Sequence, residues 1–354
     1  MRLRPASPPS NALRSALPTA LSVLALAAVA ACSAPGAGSA APGQGADSTG
    51  GTTPAATGTA YPLTIDNCGF EVTFDQAPSR VVTIKSTTAE MLLALGLGDR
   101  LVGSAFLDGP LPPALADAAA GTPVAEPFSD EVPGTEATLA LEPDLVYAGW
   151  ESNVTAQGAG DRATLRQLGV NTYVSPSACK DAAYMPDPLT FDAVFDEIIE
   201  VGEIFDARDA AARLVEEQRA TLASVTPDER GLTALWYSSG DTIPYVGAGI
   251  GAPQMILDAV GLENVAADVH DTWTSMSSEQ VIAADPDVIV LVDATWNSAQ
   301  QKIERLEANP ATRELTAVQE RRYLTVPFPA SEAGVRNADA VADLAAQLQE
   351  LDLP

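Results

Sequence analysis

The sequence of 354 residues contains a single histidine, His270. A zinc site built on several histidines is therefore excluded. A Ser-His-Asp triad would have to use His270, and no G-x-S-x-G elbow accompanies it. His270 sits between Val269 and Asp271 in a polar stretch that reads as a loop. No P-loop motif is present. Cations are few as well. Nineteen Lys and Arg face 47 Asp and Glu, a formal charge of −28, which excludes the basic face that nucleic acid requires. The acidity is spread along the chain, so it bears on solubility more than on a particular partner. Aromatics make up only 5%, and cysteines number three: Cys32, Cys68 and Cys179. Nothing in this inventory makes an enzyme.

The apolar run Leu17 to Ala31, preceded by Arg2, Arg4 and Arg14, is short and alanine-rich for a membrane span. It ends in Val29-Ala30-Ala31-Cys32, which resembles the bacterial lipobox, where Cys32 is lipidated and becomes the new N-terminus. From Ser33 to Thr59 the chain is mostly Gly, Ala, Ser, Thr and Pro, a composition that cannot bury a core and acts as a tether. The expected order is a signal peptide over 1–31, a tether over 32–60, then a folded body. In an exported chain, Cys68 and Cys179 point to one disulfide closing a loop of about 110 residues, worth up to ~4–5 kcal/mol. Two unpaired thiols are the alternative.

The body alternates strand and helix. Tyr61 to Phe74 reads as a small hairpin around Asn67-Cys68-Gly69. Arg80–Lys85, Leu101–Phe106, Leu145–Trp150 and Asn171–Val174 read as strands, with Ser86-Thr87-Thr88 able to cap a helix after the first. Between Leu189 and Val225 apolar residues recur at three- and four-residue steps, which argues for two amphipathic helices broken near Gly202, with Asp206 or Asp209 capping the second. The pattern then restarts with strands at Leu232–Tyr237, Val288–Val292 and Tyr323–Val326 and a closing helix from Asn337. The expected division is an N-terminal lobe over 61–187, connecting helices over 188–226 and a C-terminal lobe over 227–354.

An internal repeat supports two related lobes. Thr135 to Val146 aligns with Ser278 to Ile289: Glu136 lies seven residues before Pro143, Glu279 seven before Pro286, and both Pro-Asp pairs lead into a strand followed by a tryptophan, Trp150 and Trp296. Two such lobes form a cleft at the carboxyl ends of their strands, where α/β sheets bind ligands. The scarce aromatics concentrate at strand ends and loops: Phe106, Phe128, Trp150, Tyr237, Tyr245, Trp273, Trp296 and Phe328. Such rings stack on conjugated ligands. Lys85, Lys180 and Arg336 are among the few cations on such loops, suited to phosphate or carboxylate or else to a surface salt bridge. Ser86, Thr87 and Glu151 complete the expected ligand-facing set. Gly247-Ala-Gly-Ile-Gly251 is either an anion cradle or a tight turn.

The lipobox, the hairpin, the strand Arg80–Ile84 and the doubled Glu-x6-Pro-Asp motif together resemble one family, the siderophore and cobalamin class of substrate-binding proteins of ABC importers. The resemblance spans about Tyr61 to Leu353. It implies the class III periplasmic-binding fold: α/β, two Rossmann-like lobes with mainly parallel sheets joined by one long interdomain helix. It implies docking of Glu136 and Glu279 onto permease arginines, with a permease and its ATPase as partners, a small-molecule ligand, a membrane attachment through lipid on Cys32, no nucleic acid, and a monomer. It implies no cofactor and no metal site, because the histidines of metal-binding relatives are missing.

A narrower similarity lies in Leu235–Gly240, Tyr245–Gln254, Asp271–Thr274 and Val326–Arg336, which look like an actinobacterial branch described as binders of the precursor of the deazaflavin coenzyme F-420. It implies a deazaflavin cargo, with its phosphodiester and carboxylate on Lys85 or Arg336. A ferric siderophore or cobalamin uses the same chemistry. Rival readings are an exported α/β hydrolase, which needs a nucleophile and base facing across the cleft, and an adhesion or signalling protein with a filled cleft.

Overall fold

A computed structural model of the chain describes residues 58–240 and 243–353. The signal segment, Cys32 and the tether up to residue 57 lie outside the described residues.

The body opens with an antiparallel hairpin, β1 (Leu63–Asn67) and β2 (Phe70–Phe74), turning at Cys68 and Gly69, both with positive φ. Cys68 is bonded to Cys179, and the two Cα atoms are 5.3 Å apart. The first lobe follows: β3 (Val81–Ile84), α1 (Ser86–Ala94), β4 (Leu101–Ala105), the short α2 (Ala116–Ala119) and α3 (Thr135–Leu139), β5 (Leu145–Ala148), α4 (Arg162–Gln167) and β6 (Asn171–Val174). Its four strands pair in the order β4-β3-β5-β6, all parallel. β3 and β5, the two inner strands, are buried at every position, as a parallel sheet covered on both faces requires.

Two helices connect the lobes. α5 (Phe191–Ile204) buries Val194, Phe195, Ile198 and Val201 on one face. It is pinned to the first sheet by Tyr147, which donates to Glu197 at 2.9 Å, and by Tyr173, which donates to Glu200 at 2.6 Å. Burial holds the Glu197 carboxyl up at about 7. α6 (Arg208–Ser224) buries only Ala211 and Gln218. Its 17 residues make a strut roughly 26 Å long at 1.5 Å per residue. A Cβ on Gly202 would run into the Cβ of Ala211, so glycine is what lets α5 and α6 cross. The expected aspartate cap is absent: Ala207 occupies the N-cap position without a side-chain bond. Asp206 instead takes φ 56° and accepts the Thr59 amide at 2.5 Å.

The second lobe comprises β7 (Thr233–Ser239), β8 (Tyr245–Gly247), α7 (Ala252–Val260), β9 (Glu263–Asn264), β10 (Trp273–Ser275), α8 (Ser278–Ala284), β11 (Val288–Asp293), α9 (Ala299–Ala308), α10 (Thr316–Gln319), β12 (Tyr323–Pro327) and α11 (Asn337–Glu350). β7, β11 and β12 run parallel; on the side of β7 away from β11, β9 pairs in parallel with its start, and β8, followed by β10, pairs antiparallel with its end. This sheet is therefore mixed where the first is uniform.

The repeated motif has a structural cause. Glu142 and Asp285, just before the two prolines, both take positive φ (48° and 37°), which ends each helix. The next aspartates then clasp the neighbouring strand. Asp144 accepts from the Ser79 and Arg80 amides at 2.8 and 3.0 Å, and Asp287 from the amide and hydroxyl of Thr233, both at 2.8 Å. The glycine run resolves as a close approach. The amides of Ala248, Gly249 and Ile250 donate to carbonyls of Thr272, Val269 and Asp271, so they are not free to cradle an anion. A Cβ on Gly251 would stand 3.0–3.1 Å from Thr272.

Candidate functional site: an aromatic cleft between the lobes

A cavity of about 380 Å³ opens between the lobes. The carboxyl ends of the first lobe's strands supply Thr87, Trp150, Ser152, Ser177 and Lys180. The second lobe supplies Ser238, Tyr245, Trp273, Trp296, Phe328 and Glu332 among others. Seven of the expected residues thus meet here: Thr87, Trp150, Lys180, Tyr245, Trp273, Trp296 and Phe328. The antiparallel β8–β10 pair, unread in the sequence, brings Tyr245 and Trp273 face to face with centroids 6.1 Å apart and planes 16° apart. Trp296, 56% exposed, stands edge-on to Phe328 at 4.9 Å. The loop bearing Trp296 is held by Lys302, a wholly buried amine that donates to the carbonyls of Val292 and Asn297, both at 2.5 Å. Burial lowers its pKa to about 8.

Lys85 is not a ligand-facing cation. It is wholly buried, ion-paired to Asp108, and lies 3.6 Å from Glu332 of the other lobe. Its ammonium sits 3.5 Å from the ring centre of Trp150, 4.8 Å from Phe106 and 4.9 Å from Phe328, which makes a three-ring box. Lys85 takes φ 90° and ψ 152°, a region that costs a non-glycine residue ~1–3 kcal/mol and that the surrounding contacts must offset. A Cβ at Gly149 would come within 2.8 Å of Lys85 Cβ, so glycine clears its path. Ser86 does not cap α1, because the helix begins there. Its hydroxyl accepts the Asp108 amide at 2.8 Å, and Asp108 returns a contact to the Ser86 amide.

Glu332 was not singled out in the sequence. It accepts the Trp150 indole N–H at 2.8 Å across the cleft floor. Burial, with the nearby charge of Asp108, pushes its carboxyl up to about 7 against the opposing pull of Lys85. Asp108 is itself raised by burial, again opposed by Lys85.

Four further expectations are corrected. Arg336 forms a bidentate pair with Glu90 of the first lobe and donates to the Pro110 carbonyl at 2.9 Å. It lines a separate groove between Pro110–Ala114 and α11. Phe128 packs against Gly103 away from the cleft. Tyr237 is buried in the second lobe's core, its hydroxyl bound to the Gly240 carbonyl at 2.5 Å. Phe106 stands behind Trp150, edge-on at 5.8 Å, and does not line the cavity. Glu151 accepts the Lys180 amide at 2.6 Å, which orients that loop.

Two α/β lobes, a strut helix and an open aromatic cleft define a two-lobed solute-binding protein. The chain belongs to the periplasmic binding protein family, whose pattern matches residues 81–330. It is similar to the ABC transporter substrate-binding lipoprotein YvrC of Bacillus subtilis, 26% identical over 80% of this chain and 85% of that one. It is also similar to a cobalamin-binding protein of Halobacterium salinarum, 27% identical over 76% of this chain and 71% of that one. Among solved structures it resembles an ABC-type Fe3+-hydroxamate transport protein from Saccharomonospora viridis. The TM-score is 0.69 at 28% identity, covering 81% of this chain and 99% of that one. These relatives are solute-binding proteins of ABC importers, which work with a permease and an ATPase. By that membership the chain is a substrate-binding protein and not an enzyme. Among the described residues no helix is long and apolar enough to cross a membrane.

Proposed function

We propose that the protein captures a small conjugated or chelate ligand between its lobes and delivers it to an ABC importer, tethered to the outer face of the cell membrane by lipid on Cys32. The observation that carries this reading is the convergence of Trp150, Tyr245, Trp273, Trp296 and Phe328 on one cavity in a chain with 5% aromatics. Stacked rings suit the broad face of a conjugated ring or a chelate. The named relatives, a cobalamin binder and a ferric hydroxamate transport protein, favour a corrinoid or ferric chelate. A deazaflavin precursor is the second reading, favoured by the nearly parallel Tyr245–Trp273 pair, which matches a flat tricyclic ring. Capture needs no bond to be made or broken.

Glu136 and Glu279 are exposed in the first turns of α3 and α8, the equivalent helices of the two repeats. They form the docking pair for cationic side chains of the permease. The double variant Glu136→Lys/Glu279→Lys is expected to bind cyanocobalamin or a ferric hydroxamate in calorimetry as the parent does, yet to abolish cellular uptake. Uptake at parental rate would remove the docking assignment. Absence of binding to either compound by the parent would remove the corrinoid and ferric-chelate reading.

A further inference from the structure

The cleft was expected to offer several cations to a ligand, and the structure uses two of them to join the lobes. Lys85 is held by Asp108 and faces Glu332, and Arg336 is held by Glu90. Among the described residues, two charged side chains line the cavity, Lys180 and Glu332. Glu332 is bound to Trp150 and sits beside Lys85. Lys180 differs in kind. Its backbone is held at two points: the preceding residue, Cys179, is buried and cross-linked to Cys68, and its own amide donates to Glu151 at 2.6 Å. Its ammonium, by contrast, has no hydrogen bond or ion pair to any described residue. The hydroxyls of Ser152 and Ser177 line the cavity on the same lobe.

We propose that Lys180 is the specificity-determining cation of the cleft and selects ligands that carry an oxyanion arm, phosphate or carboxylate, beyond the conjugated ring. This rests on the aromatic reading of the cleft given above. The chain carries a formal charge of −28, so an anionic ligand gains nothing from the long-range field. Its acceptance depends on a local contact. Glu332 at the floor repels an acidic arm when ionised, which leaves the Lys180 rim as the place where the arm lies. An unpaired ammonium on an anchored backbone, with Ser152 and Ser177 on the same wall, can meet such an arm without first breaking an internal ion pair.

The test uses two pairs of probes that differ only in an acidic arm: riboflavin with flavin mononucleotide, and cyanocobalamin with a monocarboxylate made by hydrolysing one of its side-chain amides. Calorimetric titration of the wild-type protein is expected to show the acidic member of at least one pair binding about fivefold more tightly, the scale of one partly exposed charge-assisted contact. Lys180→Met should erase that preference while leaving the neutral member within about twofold, and Lys180→Arg should retain it. Equal affinity for both members in the wild type, or a preference that survives Lys180→Met, overturns the inference and leaves the aromatic reading standing. Failure of all four compounds to bind overturns this inference together with the corrinoid and deazaflavin readings, and leaves the ferric-chelate reading to the hydroxamate titration above.

Discussion

The indole N–H of Trp150, at the end of a strand in the first lobe, donates to Oε1 of Glu332 in the second across 2.8 Å. One residue of the cleft wall is thereby tied to the opposite lobe, and the tie ends on a carboxyl raised to about 7. For a carboxyl whose folded value lies above its unfolded one, the stabilisation is complete below the unfolded value. It is lost as pH rises through the folded value. The window here runs from the ordinary glutamate range up to about 7. The groups facing Glu332 are Lys85, Asp108 and the Trp150 indole. Tryptophan fluorescence of the ligand-free protein should therefore change with a midpoint near 7. Glu332→Gln, which keeps an oxygen for the indole and removes the titration, should flatten that change. A midpoint that persists in Glu332→Gln assigns it to another group.

Arg336 and Glu90 form a second, separate tie between the lobes, buried on both sides. Removing one partner leaves the other charge stranded. Arg336→Ala should cost on the order of 3–5 kcal/mol in denaturant unfolding. The double change Glu90→Leu/Arg336→Leu should recover much of that loss, because the pair's own desolvation disappears with it. A single variant as stable as the parent would show that the pair contributes nothing.

With a single exposed strut and two cross-lobe ties, one part-buried and one buried, the lobes have little freedom to hinge. Solution scattering should show no more than a small change in radius of gyration on ligand addition. Lys85→Met, which leaves Asp108 and Glu332 facing each other without a cation, should widen the ligand-free distribution. Large closure in the unaltered protein would contradict the strut.

Much of this arrangement was legible in the sequence, and the parts that were not share a cause. The helical period of Leu189 to Val225 located α5 and α6 because their apolar faces are local patterns. The doubled Pro-Asp was legible because Asp144 and Asp287 perform the same clasp at the same place in each lobe. Trp150 and Trp296 followed from the same repeat. β8 and β10 were missed because each is three residues long and carries no period of its own. Lys85 and Arg336 were read as facing a ligand or a surface salt bridge, because nothing local marks a buried partner 23 or 246 residues away. Glu332 went unmarked for the same reason, since its partner is 182 residues distant. Phe128 and Tyr237 show the limit of counting aromatics at strand ends: a loop position does not say which way the ring turns.

The most direct test of the central claim is mass spectrometry, with an absorption spectrum, of small molecules released from the mature protein purified from its own cells. The account predicts a bound compound with a conjugated ring or an iron-chelate chromophore, present in wild-type protein and depleted in Trp150→Ala. A preparation that repeatedly yields a sugar, an amino acid or another aliphatic solute would contradict it.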